Sequence, residues 1–177
     1  MSLSLHDLLD EHVVASAYSI DLISGLDSSQ THWRPNKNSS AIAWHLGHQG
    51  VVNHFMLRNL TAAEKTFDAA FDSVFDSATA EPARGDLPPL DEIVDYRNAI
   101  SESTRRVVGL IESGDVGAPN QLPLIAEGML LAIINHEYQH AKWIGEVRSS
   151  MIDLHAPSPL SNRLIQVDGY YMIAVSP

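Results

Sequence analysis

The sequence contains no cysteine. That excludes disulfides, thiolate metal sites, a cysteine nucleophile and cysteine-ligated iron–sulfur clusters. It fits a reducing compartment without requiring one. Positive charge is also scarce: 11 Lys and Arg stand against 22 Asp and Glu, for a formal net charge of −11. Such a surface repels a phosphate backbone and has few cations with which to displace counterions. Neither nucleic acid nor an anionic membrane is therefore an expected partner. No apolar run approaches the roughly 20 residues that span a bilayer. Met1 to Asp10 carries Asp7 and Asp10 and has no basic stretch leading into an apolar one, so a signal peptide is not expected there. A soluble cytoplasmic protein is the expectation. A GxGxxG loop, a P-loop and internal repeats are all missing, and nothing pairs Ser, His and Asp as a triad.

What is present is enough apolar residue, 45% of 177, for the core of one ordinary domain. Residues 1–177 read as that domain, with a helical bundle over about 4–152 and a tail over 153–177. Four long helices are predicted. The first runs from Leu5 to Ser24, with Ser4 and Asp7 as a capping box and Gly25 as a stop. Its apolar face is read as Leu5, Leu8, Leu9, Val13, Ala17, Ile20 and Ile23. Leu26 to Asn38 is polar and holds Pro35, so a loop is expected there. The second helix starts after Ser39 or Ser40 as cap and runs to Leu60, with Ala41, Trp44, His48, Val51 and Phe55 inward. Gly47 and Gly50 weaken it, or allow close packing beside the histidines.

Thr61 to Pro89 gives a mixed signal, with a short helix around Glu64 to Phe75 and a proline-rich loop from Glu81. The third long helix spans Leu90 to Ser113, ended by Gly114, Gly117 and Pro119. The fourth spans Leu124 to Met151, with Pro123 just before it. One stripe of it holds Met129, Ile133, His136, His140, Trp143 and Val147. Leu164 to Val175 is read as a short strand or an extended arm.

Nine histidines are the compositional oddity, and they cluster. His136 and His140 are one helical turn apart, with Cβ atoms about 6 Å from each other. Two imidazoles so placed reach one metal ion at about 2.0–2.1 Å. An isolated pair of this kind is more often accidental. Here both lie on an apolar stripe, where buried imidazoles need partners, and His48 lies on the inner stripe of another helix. Three histidines from two facing helices leave an open coordination position, as catalytic sites do.

His136, Glu137 and His140 also spell HExxH, the pattern of zinc peptidases whose glutamate is a general base. The rest of that pattern is missing. Trp143 stands where the longer motif needs glycine, Glu146 where it needs histidine, and no glutamate follows Glu146. Glu137, the candidate catalytic residue, points about 100° away from His136. It reads as a residue that orients the ligands, a base, or a surface carboxylate. His45, one turn before His48, is an alternative ligand. His54 is expected outward or at a subunit contact. Trp44 and Trp143 are read as core residues more than as substrate platforms.

The stretches Trp33-Arg34-Pro35, Ser40 to His48 and His136 to His140 together resemble the DinB/YfiT-like superfamily. The resemblance runs from the first helix to about Met151. It implies an all-α, up-and-down four-helix bundle holding a divalent metal, zinc or nickel, on His48, His136 and His140. It also implies a homodimer acting on a small molecule. Family members of known activity include metal-dependent thiol transferases and isomerases that use bacillithiol or mycothiol. The resemblance thus implies a transferase with a low-molecular-weight thiol as cosubstrate. A non-catalytic metal- or small-molecule-binding stress protein and a metal-dependent hydrolase are the alternatives.

Overall fold

The computed structural model describes residues 3–61, 67–78, 86–116, 121–152 and 156–174. Ser4 opens α1 (Leu5–Asp21) with the expected capping box: its hydroxyl accepts from the Asp7 amide, and the Asp7 carboxylate accepts from the Ser4 amide. The helix stops at Asp21, short of the expected Ser24, and Gly25 turns the chain at φ +78. The expected apolar face of α1 is only partly right. Of the expected residues Leu5, Leu8 and Ile23 are buried, but Val13 and Ala17 are exposed, while Glu11, His12, Ala15 and Ser19 are inside. Polar bonds across the bundle decide this rotation. Asn53 pairs with His12 at 2.8 Å and Gln49 donates to Ser19 at 3.0 Å, so those polar atoms are satisfied inside and the helix turns toward them.

The expected loop after α1 contains a one-turn helix, α2 (Ser28–His32), which a capping box between Asp27 and Gln30 makes possible. Pro35 lies beyond it. Arg34 then fastens the approach to the next helix, donating to the Ser39 and Lys37 carbonyls at 2.6 and 2.7 Å.

α3 (Ile42–Leu60) is capped by Ala41 without a side-chain bond, not by Ser39 or Ser40. Burial fixes its start instead: every residue from Ala41 to Gly50 is buried. Phe55, expected inward, is 63% exposed and Val51 only partly covered, because beyond Gly50 the buried positions are Asn53, His54 and Leu57, on another face of the helix. α4 (Ala69–Val74) falls within the expected short helix, whose first part, with 64–66, lies outside the described residues. α5 (Leu90–Glu112) and α6 (Leu122–Met151) match expectation closely, except that Pro123 sits inside the first turn of α6. Gly114 turns the chain after α5 at φ +76; Gly117, Pro119 and most of the 81–89 loop lie outside the described residues.

The tail forms an antiparallel hairpin, β1 (Leu164–Val167) and β2 (Tyr170–Ile173). Asp168 and Gly169 both take positive φ, +50 and +82, as a two-residue turn between right-twisted strands requires. β2 packs on α6, where Ile173 is buried and its amide donates to Asn135 at 2.8 Å. Val175 lies outside the described residues.

The molecule is thus the expected mostly helical four-helix bundle with short C-terminal strands. Its chain order is not its spatial order. α6 packs between α1 and α3, α3 packs against α5, and α1 meets α5 more loosely. α1 and α3 therefore occupy opposite corners, and the α3–α6 seam is where the histidines meet. No described helix is long and apolar enough to cross a membrane.

Candidate metal centre

His48 comes from α3, and His136 and His140 come from successive turns of α6. One ligand atom of each lies within 4.8 Å of the others. Ring centroids are 4.4 Å apart for His136 and His140, 4.9 Å for His48 and His140, and 5.2 Å for His48 and His136. His48 and His140 are buried and His136 is half-buried.

The far side of two of these rings is already engaged. His48 Nδ1 lies 2.7 Å from the Phe75 carbonyl. A carbonyl only accepts, so Nδ1 carries the proton and Nε2 keeps its lone pair. His140 Nδ1 lies 2.9 Å from His45 Nδ1, and one of the two nitrogens donates. Metal-bound imidazoles almost always have such a partner behind them, which fixes the tautomer and the ring angle. Trp44 stacks on His48 at 4.6 Å with rings 12° apart, and Trp143 meets His140 edge-on at 4.7 Å. Burial, reinforced by His48, pushes His136 down to about 4 against an opposing effect of Glu137. Burial also depresses His140, and His136, His45 and His48 add to it. Imidazoles kept neutral at pH 7 are the form that ligates a cation. By donor type, convergence and protonation, the three residues fit a divalent metal ion.

Three clefts meet at this cluster. One of about 580 Å³, walled by Val51, Met56 and Phe75, reaches His48. One of about 430 Å³ under the hairpin, with Tyr170 and Met172, reaches His136. The third, about 490 Å³, touches both His48 and His140 between Trp44 and Trp143.

His45 is buried behind His140 and stands outside the group of three. His54, expected outward, is only 1% exposed, with Nδ1 3.1 Å from the Tyr96 hydroxyl, which itself donates to Asp72 at 2.6 Å. Tyr96 of α5 and Phe67 cover His54, so facing away from the His48 stripe does not mean facing solvent. Trp44 is 5% exposed and belongs to the core; Trp143 is half-buried at a cleft wall. Glu137 is not a surface residue: it is 4% exposed, and its carboxylate is ion-paired with Arg97 on the side of α6 turned toward α5.

Sequence reasoning missed a buried polar network behind the cluster, built on Arg97, Gln49, Asn53 and His12. Its signal was legible: Arg97 sits between Ile93 and Ile100 on the core face of α5, where an unpaired charge is untenable.

His12 gives this network a measurable signature. It is 2% exposed, and burial pushes it down to about 4, with Glu137 opposing and Arg97 and Arg105 assisting. The unfolded chain therefore binds a proton between pH 6.5 and about 4 that the native chain refuses. Stability falls as pH falls through that window, by on the order of 3 kcal/mol from this residue. Urea unfolding of the parent and His12→Gln at pH 7 and pH 4.5 is expected to show a smaller acid loss in the variant. Equal losses would remove His12 from the account.

The sequence matches the DinB superfamily over residues 14–144, from within α1 to the Trp143 region of α6. The chain belongs to the DinB superfamily. The match leaves the hairpin outside it. No curated protein matches the chain.

Proposed function

We propose that this protein is a metal-dependent enzyme that transfers a low-molecular-weight thiol, of the bacillithiol or mycothiol type, to a small electrophile. The observation that supports it is the convergence of His48, His136 and His140 from two helices at the meeting point of three clefts. Zinc or nickel suits three neutral imidazoles. A divalent ion held there supplies the positive charge that lowers the pKa of a thiol or water.

The chain's own residues do the rest. Phe75 and His45 hold His48 and His140 in orientation. The clefts supply separate approaches for two substrates, one between Trp44 and Trp143 and one beneath Tyr170. Glu137, engaged by Arg97, suits an orienting role better than that of a base. The net charge of −11 supports small molecules, not nucleic acid or anionic membrane, as partners. A cytoplasmic homodimer completes the proposal.

The test is elemental analysis of untagged, chelator-free protein beside His48→Ala, followed by a screen of thiols against electrophiles. About one zinc or nickel per chain, lost in the variant, with turnover that requires both metal and thiol, is the expected result. Turnover with metal but no thiol would replace transfer by hydrolysis. No metal, and no uptake of added zinc or nickel, would leave a non-catalytic binding protein.

A further inference from the structure

The residue after each of two ligands points to a common partner. Gln49 follows His48 and Glu137 follows His136. A step of one residue turns a helix by about 100°, so both side chains leave the histidine cluster and enter the interior toward α5. There they meet Arg97. Its Nη1 donates to Gln49 Oε1 and to the Leu46 carbonyl, both at 3.0 Å. Its Nη2 is ion-paired with Glu137 and donates to Ser16 on α1 at 3.2 Å. Gln49 in turn donates to the Glu137 carbonyl at 2.9 Å. One guanidinium therefore joins α1, α3 and α6 at the level of the histidines.

Stability does not explain this arrangement. The Arg97 and Glu137 side chains are 4% and 5% exposed, and well-packed apolar residues in place of a buried ion pair are often as stable or more so. What a planar fork of fixed donors supplies is geometry: it satisfies several acceptors only at one separation and one register. α3 also makes room for it. A Cβ on Gly50 would lie 3.2 Å from Arg97 Cγ, closer than ordinary contact.

The requirement it meets is strict. Ligands on two helices must reach one ion with distances good to about 0.2 Å. At that level His45 of α3 is bonded to His140 of α6. The Gln49–Glu137 backbone bond and the Arg97 fork fix how far apart, and in what register, the two helices stand.

We propose that Arg97, through Gln49 and Glu137, is the positioning residue of the three-histidine centre, setting the α3–α6 spacing that lets His48 meet His136 and His140. This inference rests on the three-histidine reading, and its test separates the two.

The full chain is titrated with zinc against a chromophoric chelator, and the metal-free protein is unfolded in urea. Arg97→Lys keeps the charge and loses the fork. It is expected to fold with parental helicity and to bind zinc about 10–100-fold more weakly, the range seen when support behind a ligand is removed. A merely structural role lowers the urea midpoint and leaves zinc affinity unchanged, and that result overturns the proposal. If Arg97→Lys lacks parental helicity, Glu137→Gln decides instead. It keeps shape and an acceptor oxygen but loses the charge, and about 10-fold weaker binding is expected; parental affinity overturns the proposal. A parent chain that takes up neither zinc nor nickel overturns the metal reading itself, and this inference with it.

Discussion

Replacing His140 with alanine is expected to abolish tight zinc or nickel binding while the bundle stays folded. His140 is the hub of the cluster. Its ring lies 4.4 Å from that of His136 and 4.9 Å from that of His48, and it is bonded to His45. Without it, the two remaining imidazoles come from different helices, and no pair on one helix is left to clamp the ion. The loss should exceed about 100-fold, beyond the effect of removing a supporting hydrogen bond.

The fold should survive, because the apolar residues of α6 around the site, Ile133, Ile134, Ala141 and Ile144, remain buried. Calorimetric zinc titration with circular dichroism on the same sample reads both halves of the expectation. His45→Gln is the graded companion. It removes the imidazole behind His140 and leaves all three ligands in place, so it should weaken binding by about 10–100-fold and not abolish it. If the His140→Ala chain binds zinc as tightly as the parent, the ion is not held here.

The second large effect is expected at Gly47. A Cβ there would lie 2.2 Å from Phe75 Cε1 and 2.4 Å from Cδ1 and Cζ. The ring cannot yield cheaply, because Phe75 is fully buried. Gly47→Ala therefore drives the ring out of its notch. Losing that burial costs about 3 kcal/mol, against about 1 kcal/mol gained from alanine's better helix propensity. A net loss of about 2 kcal/mol follows.

The second consequence is chemical. Phe75 supplies the carbonyl that fixes His48 Nδ1 at 2.7 Å, so displacing this residue frees the ligand to rotate. Zinc affinity should fall by about 10-fold or more. Gly109→Ala is the control: nothing lies within 4 Å of the added Cβ, so that variant should gain stability and keep its metal affinity. Urea midpoints of the metal-free chains and zinc titrations of the folded ones test both. A Gly47→Ala chain as stable as Gly109→Ala would show that the notch is not needed.

These two cases show what kind of information each level holds. Gly47 was legible as an oddity within a helix, yet the reason for it lies 28 residues along the chain. Phe75 could not be placed against it from periodicity. Likewise the i, i+4 pair His136 and His140 is a local fact of helix geometry, and His48 followed from the inward stripe of its own helix. Both were readable because a helix repeats every 3.6 residues.

The sequence by itself determined the four long helices, the capping box at Ser4, the pairing of His136 with His140 and the turn at Gly25. Each of these depends on neighbours within one turn of chain. It failed where a side chain's partner lies on another element. Val13 and Ala17 face solvent because His12 and Ser19 bond to α3. His54 is buried because Tyr96 of α5 lies over it. Only the tertiary structure decided that Glu137 belongs to Arg97, that His45 stands behind His140, and that α1 and α3 lie at opposite corners. The physical reason is common to all of them. A buried polar group must find a partner, and in a bundle that partner comes from a helix whose position no local pattern encodes.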